Sequence, residues 1–283
     1  MKEIAFFRTG ARISPTGASE SARGRRLASI FILTCVLGIG CAESRARNAE
    51  RLPLPVSVIE IEPWAFTDAR GRAKGIYVEL TRALAREAGI EVEIKVRPYA
   101  RVMLDMKTGA SVFCFMFRNP VIEDAADAVA PVSEFDLTAV VPPASGIRTI
   151  EDLQGKSIAI LHGTSFGSLF KDSGVRISST KTPEQQLTML QLQRVDAVVG
   201  IRETTFFAFG RMKQAGRAFF PHLRTLEIER IRAYLYVSKV HRSGMNALRL
   251  DQALKQVLER GELDAILVRY LSHFPLDIGA APP

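Results

Sequence analysis

Two stretches of the sequence carry side chains that could hold a small anion. Gly163-Thr164-Ser165 follows Ser157–Leu161, an apolar run with the length and composition of a strand buried on both faces. A turn of small residues there would present hydroxyls and backbone N–H groups above the sheet edge. Arg118 follows a second apolar run, residues 112–117. Because a guanidinium offers two parallel donors to a carboxylate, an anion could bind where these strand ends meet.

Further side chains complete the predicted site. Trp64, the only tryptophan, and Tyr77 could form an apolar wall or stack on a ligand. Arg101, early in a predicted helix, and Arg202, after a predicted strand, could add positive charge. Core packing for the aromatic residues, and a solvated surface position for the arginines, remain open alternatives. The predicted ligand-binding residues are Trp64, Tyr77, Arg101, Arg118, Gly163, Thr164, Ser165 and Arg202.

The chain shows little that favours catalysis or nucleic-acid binding. The histidines lack the spacing of a zinc site, and no phosphate-binding loop of the G-x-x-x-x-G-K-[ST] type occurs; the histidines are His162, His222, His241 and His273. Glu79 and Glu203 could act as acids, but structural or solvated roles are favoured. The net charge of +8 falls partly within residues 1–41 and includes no long basic run. We therefore expect no cofactor, no metal, no nucleic acid and no enzyme activity.

Alternating strands and helices must position these residues. The first half of the chain reads strand, helix, strand, helix, strand, which is typical of a parallel sheet covered on both faces. The predicted elements there are residues 56–61, 75–89, 92–96, 99–106 and 112–117. Later elements are a crossing strand at 137–141, a short helix from Thr149 to Gly155, strands at 157–161, 195–199 and 233–237, and helices at 166–170, 183–192, 245–261 and 263–272.

The N-terminal residues resemble an export signal. Residues 1–41 contain a basic segment, then an apolar run, and end at Cys41. Lipidation at Cys41, cleavage after Ala42 and an uncleaved anchor are all open. Residues 42–54 are predicted to be a linker and residues 275–283 a flexible tail. We expect Cys114 to be a buried thiol outside any disulfide.

The order of these motifs resembles the extracytoplasmic solute-binding proteins of ABC importers, amino-acid-type family 3. The segment with Asp152-Leu153, Gly155-Lys156 and Gly163-Thr164-Ser165 matches the family motif that opens its second lobe. Residues 266–270 resemble its closing motif. The matches in the first lobe are Pro63, Trp64, Phe66, Gly71, Gly75, Val78, Glu79, Leu80 and Gly89.

This resemblance implies a two-lobed α/β fold, each lobe a mostly parallel sheet flanked by helices, with two hinge strands between them. Lobe 1 would comprise residues 55–142 plus 228–274, and lobe 2 residues 143–227. It further implies a periplasmic monomer, lipid-anchored if Cys41 is modified. This monomer would close around a small polar or anionic solute and deliver it to an inner-membrane ABC permease. Cyclohexadienyl dehydratases share the fold, so a periplasmic dehydratase is the alternative.

Several positions depart from the family pattern. The arginine that grips the α-carboxylate in amino-acid binders is replaced here by Ile122, with Arg118 as a substitute four residues earlier. The family's aspartate for the α-amino group is expected near Gly200-Ile201-Arg202, where no carboxylate occurs before Glu203. The sequence therefore predicts a divergent member whose ligand is a carboxylate or other anion without an amine.

Overall fold

A computed structural model describes residues 52–217, 220, 223–242 and 247–272. The predicted export signal, Cys41 and the tail at 275–283 lie outside the described residues, as does most of the linker. Within the described part, no helix combines the length and apolar character needed to cross a bilayer.

The described chain alternates between strands and helices. The strands are β1 (Leu54–Ile59), β2 (Phe66–Thr67), β3 (Ala73–Lys74), β4 (Val92–Arg97), β5 (Phe113–Phe117), β6 (Ala126–Val141), β7 (Ser157–Leu161), β8 (Arg176–Thr180), β9 (Ala197–Ile201) and β10 (Arg224–Ser238). The helices are α1 (Ile76–Glu87), α2 (Tyr99–Thr108), α3 (Pro120–Glu123), α4 (Pro183–Gln191), α5 (Arg202–Gln214), α6 (Ala247–Glu259) and α7 (Glu262–Leu271). Short 3₁₀ turns occupy Glu151–Leu153, Phe166–Phe170 and Lys239–His241.

The first lobe is built on β1, β4 and β5. Strands β1 and β4 are parallel, and the Val112 N–H donates to the Pro55 carbonyl, so β5 lies beside β1. Helix α1 buries its apolar face and packs against α6 and α7. Gly75 precedes α1 with a φ of 120°, and a Cβ there would lie 2.7 Å from the Ala65 Cα. Only glycine allows the chain to pass this close to Trp64 and Ala65.

Two long strands connect the first lobe to the second. β6 and β10 pair antiparallel along most of their length. The end of β10 pairs with β5 in the first lobe, whereas the end of β6 pairs with β9 in the second. Strand β9 is parallel to β7, which is parallel to β8. The predicted two-lobed α/β fold joined by two strands is confirmed, with backbone pairing that runs continuously from one lobe into the other.

The structure adds elements that sequence patterns did not predict. The crossing strands predicted at 137–141 and 233–237 are the ends of the much longer β6 and β10. Helix α5, strand β8 and the small β2–β3 hairpin were not predicted. The predicted helix at 166–170 is a 3₁₀ turn. The predicted buried thiol outside any disulfide is confirmed, because Cys114 lies fully buried in β5 with a free thiol. This burial raises its pKa to about 12.

Candidate functional site

A pocket lies between the lobes, at the carboxyl ends of their strands. It encloses about 720 Å³ of space, part of which is open to solvent. Phe117 at the end of β5, Leu161 at the end of β7 and Ile201 at the end of β9 all line it. Open α/β sheets place ligands outside the carboxyl ends of their strands. The remaining lining residues come from both lobes, with Ile59, Ile61, Trp64, Tyr77, Tyr99, Met116, Arg118 and Asn119 from the first and Thr164, Ser165, Phe166, Gln186, Val199, Gly200, Thr204 and Thr205 from the second.

The structure brings most of the predicted site residues together. Those that line the pocket are Trp64, Tyr77, Arg118, Thr164 and Ser165. Gly163 lies directly beside Thr164 and contacts the opposite lobe, as described below. Arg101 and Arg202 do not line the pocket.

Trp64 and Tyr77 serve the core and the pocket wall at once. Both side chains are almost fully buried. Their ring centroids are 4.9 Å apart at an interplanar angle of 33°, and the edge of Phe135 meets the Trp64 ring. The Trp64 indole Nε1 donates to the Thr204 hydroxyl over 2.6 Å. This hydrogen bond joins the two lobes, because Thr204 lies in the first turn of α5.

Tyr77, which lines the pocket, and Glu203, in the first turn of α5, each carry an unpaired polar atom. Among the described residues, neither the Tyr77 hydroxyl nor the Glu203 Oε2 has a hydrogen-bond partner, and both atoms are buried. Burial raises the pKa of Tyr77 well above its usual range, and the negative charge of Glu203 raises it further. Burial likewise raises the pKa of Glu203. An unpaired buried polar atom costs free energy unless a ligand or water satisfies it.

The turn after β7 makes a second contact between the lobes. Gly163 has a φ of +87°, and a Cβ there would lie 2.8 Å from the Tyr99 Cε1. Its carbonyl accepts a hydrogen bond from the Asn119 Nδ2 over 3.3 Å, and the same amide donates to the Tyr99 hydroxyl. The Thr164 hydroxyl and N–H both donate to the Leu161 carbonyl. Thr164 therefore offers an anion fewer free donors than its sequence suggests.

A nucleophile elbow was not expected from the sequence, but this turn carries its sequence pattern. Residues 163–167 read G-T-S-F-G, which matches the G-x-S-x-G nucleophile elbow. Ser165 has φ −86° and ψ 0°, whereas an elbow holds its serine in a strained conformation. The neighbouring His162 directs its Nδ1 to the Ser179 hydroxyl at 3.2 Å. The histidine next to the turn is therefore turned towards β8 and not towards Ser165.

The three predicted arginines have different surroundings. Arg118 lies at the pocket rim with 70% of its side chain exposed, and its Nε donates to Glu123 over 3.1 Å. Arg101 pairs with the buried Asp105 at 2.9 Å. Arg202 contacts carboxylates of both connecting strands, Asp136 and Glu227, at 2.8 Å each. Arg118 alone of the three lines the pocket. Arg101 forms its ion pair within α2, whereas Arg202 joins α5 to the two connecting strands.

Sequence reasoning missed several residues of the site. They are Tyr99, Asn119, Gln186, Thr204 and Thr205, together with the Glu62–Arg211 ion pair that also joins the lobes. One signal was available, since Asn before Pro is a helix-capping pair and Asn119 caps α3 by accepting from the Val121 N–H. Thr204 and Thr205 depend on α5, which no pattern indicated.

The pocket is apolar and poor in charge. Among its lining residues Arg118 alone is ionised, and none is a carboxylate. Ile201 occupies the end of β9, where the family resemblance leads one to expect an aspartate for an amino group. A protonated amine would therefore lose its hydration there without gaining a counter-charge.

Comparisons with known proteins agree with this architecture. The sequence profile of the bacterial extracellular solute-binding proteins, family 3, matches residues 56–273. The chain belongs to this family, whose members are extracytoplasmic. No curated protein sequence matches it significantly.

Solved structures show the same fold at low sequence identity. An ancestral arginine-binding protein bound to arginine is 23% identical, with a TM-score of 0.65 over 78% of this chain and 99% of that one. The arginine-, lysine-, histidine-binding protein ArtJ from Geobacillus stearothermophilus is 19% identical, with a TM-score of 0.65 over 79% and 97%. An ancestral amino-acid-binding protein described as a precursor of cyclohexadienyl dehydratase is 19% identical, with a TM-score of 0.64 over 78% and 96%.

Proposed function

We propose that this protein is the solute-binding component of an ABC importer. It would capture a small solute between its lobes and deliver it, as a periplasmic monomer, to an inner-membrane permease. The observation that carries the proposal is the pocket itself, whose walls come from both lobes at the carboxyl ends of β5, β7 and β9. A solute held there gains contacts from both lobes only when they are close together, so binding shifts the population towards closure.

Direct contacts between the lobes support closure as the working motion. The Trp64–Thr204 and Asn119–Gly163 hydrogen bonds and the Arg211–Glu62 ion pair each join one lobe to the other. The two hydrogen bonds involve Trp64, Thr204 and Asn119, which line the pocket. A ligand that adds further contacts to both lobes shifts the equilibrium towards the closed form.

The solute that we propose has an apolar body and one anionic or polar end. Most of the pocket wall is aliphatic or aromatic, which favours an apolar body. At the rim, Arg118 and Asn119 offer donors to a carboxylate or similar group. Arg118 would exchange its exposed pair with Glu123, which is worth little in water, for a partly buried pair with the solute.

A binding screen tests this function. Thermal-shift measurements over amino acids, dicarboxylates, sulfonates and aromatic acids should identify a stabilising solute, and calorimetry should then give its affinity. Arg118→Ala should weaken that affinity about tenfold or more, the loss of a charge-assisted hydrogen bond. If no small solute stabilises the protein, the capture function is wrong. If a solute binds and Arg118→Ala leaves its affinity unchanged, Arg118 is not part of the site.

A dehydratase of the cyclohexadienyl type is the second candidate. Glu203 favours it, because a carboxyl group whose pKa is raised by burial can keep a proton to donate, and Glu203 acts electrostatically on Tyr77, which lines the pocket. Incubation of the purified protein with prephenate or arogenate tests this reading. Turnover that is lost in Glu203→Gln would replace the transport proposal with an enzyme.

The membrane attachment has a separate test. We propose export to the periplasm, with lipid attachment at Cys41 as the finer alternative to a free soluble form. The intact mass of the exported protein distinguishes the two. A mass that corresponds to an unmodified N-terminus at Glu43 would eliminate the lipoprotein.

A further inference from the structure

The Tyr77 hydroxyl is a buried polar group without a hydrogen-bond partner in a residue that lines the pocket. Tyr77 is 3% exposed and lines the pocket, and its hydroxyl has no hydrogen-bond partner among the described residues. By contrast, several other polar side chains of the pocket have partners within the protein. Trp64 donates to Thr204, Gln186 donates to the Ala159 carbonyl, and Thr164 donates to the Leu161 carbonyl. A ligand would therefore find a free hydrogen-bonding group at Tyr77.

The pocket surface beside Tyr77 favours an uncharged ligand group. Among the residues that line the pocket, Arg118 alone is ionised, and it lies at the exposed rim. A charged ligand group next to the buried Tyr77 would lose its hydration without gaining a counter-charge. An uncharged hydroxyl or carbonyl group does not carry this cost.

Aromatic side chains surround this part of the pocket. The Tyr77 ring lies 4.9 Å from Trp64 and 5.6 Å from Phe115, measured between centroids. Phe117 meets the Trp64 ring at right angles, with centroids 5.9 Å apart, and Phe166 lines the pocket from the other lobe. Flat aromatic rings pack well against such faces and edges.

We propose that the solute is a compact aromatic acid without an amine, whose uncharged hydroxyl or carbonyl group hydrogen-bonds to Tyr77. This inference rests on the proposed capture function and names its substrate class. Tyr77 would be a specificity-determining residue that selects the polar substituent of the ring. The carboxylate would lie towards Arg118 at the rim. Zwitterionic α-amino acids would be excluded, because their ammonium group has no partner in the pocket.

A pair of probes and a pair of variants test the inference. The probes are 4-hydroxybenzoate and benzoate, which differ only in the ring hydroxyl, and tyrosine, which adds the zwitterion. Tyr77→Phe removes only the hydroxyl. Tyr236→Phe is the matched control, because Tyr236 is also fully buried but does not line the pocket. Calorimetry on the purified mature protein measures each affinity, and circular dichroism shows that each variant is folded.

The wild type should bind 4-hydroxybenzoate about tenfold more tightly than benzoate, the worth of one hydrogen bond. In Tyr77→Phe this preference should disappear, whereas in Tyr236→Phe it should remain. Binding of tyrosine, or no binding of either aromatic acid, would overturn the inference. If the broader screen then finds another solute, the capture function stands and only the substrate class is wrong. If the screen finds none, both fail.

Discussion

Two turns of the second lobe occupy equivalent places and behave differently. One follows β7 and contains Gly163 and Thr164, and the other follows β9 and leads into α5 with Thr204. Both lie at carboxyl ends of neighbouring parallel strands and both line the pocket. The β7 turn directs the Thr164 hydroxyl and N–H back to Leu161. The β9 turn directs Thr204 across the pocket to Trp64 of the other lobe.

The family motif and the side-chain contact between the lobes therefore lie in different turns. The β7 turn carries the family motif, and its main contribution across the lobes is made by a glycine, through its backbone and its lack of a side chain. The β9 turn departs from the family pattern, and it supplies the side-chain hydrogen bond between Thr204 and Trp64 and the unpaired Oε2 of Glu203. The β7 turn thus permits close approach of the two lobes, while the β9 turn supplies polar side chains.

The largest loss of solute affinity is expected from a substitution that prevents the close approach of the lobes at the β7 turn. Gly163→Ala adds a Cβ to a left-handed residue against the Tyr99 ring. Overpacking of this kind costs about 1–3 kcal/mol, which should weaken solute binding about 5- to 150-fold. Calorimetry with the solute found in the screen measures this loss.

Gly155→Ala is the matched control for that variant. Gly155 also has a positive φ, +70°, but a Cβ there meets no atom within 4 Å. It should lower the free energy of unfolding by about 1–2 kcal/mol through backbone strain alone and leave solute affinity unchanged. Equal affinities in the two variants would show that the lobes do not close on Gly163.

The next largest effect on solute binding is expected from a substitution in the β9 turn. Thr204→Val keeps the shape of the side chain and removes the acceptor of the Trp64 N–H. The buried indole N–H then lacks a partner, which should destabilise the closed form by about 1–3 kcal/mol. Trp64→Phe and the double variant complete a thermodynamic cycle for solute binding. Strictly additive losses would show that the two side chains are not coupled.

The pH dependence of the free energy of unfolding tests whether Glu203 in the β9 turn is a buried carboxyl group. Burial raises the pKa of Glu203 above its ordinary value of 4.5. The folded protein therefore holds this proton more tightly than the unfolded chain does. The stabilisation from this protonated carboxyl group is fully present below about pH 4.5 and is lost as the pH rises through the raised pKa.

Glu203→Gln should remove this part of the pH dependence. Urea unfolding of wild type and variant at a series of pH values gives the difference directly. The variant should gain stability relative to the wild type as the pH rises above 4.5. A constant difference across that range would mean that Glu203 is solvated and does not influence Tyr77.

The smallest effect is expected at the exposed bridge between the lobes. Arg211→Gln removes the ion pair with Glu62, in which the Arg211 side chain is half exposed. Exposed pairs contribute about 0–1 kcal/mol, so solute affinity should fall less than about fivefold. The loss should shrink further at high salt, because ions screen such pairs. A larger, salt-independent loss would identify this pair as a main closing contact.

The sequence predicted the fold well because its signals are local. Apolar runs such as 157–161 and the amphipathic α1 show their period directly, and the structure has both. Helix α5 was missed because its buried residues, Phe206 and Phe207 among them, leave no polar stripe to mark a helical period. The closing contacts were missed for a different reason. Trp64 and Thr204 are 140 positions apart, so only the folded chain shows that they meet.

Trp64 allows the central claim, closure of the lobes around a solute, to be measured directly. It is the only tryptophan in the chain, it lines the pocket, and its N–H binds the opposite lobe. Its fluorescence should therefore change saturably as solute is added, with a midpoint equal to the calorimetric Kd, and Thr204→Val should move both values together. Calorimetric binding with unaltered Trp64 emission would contradict the account, because the solute would then bind outside the pocket between the lobes.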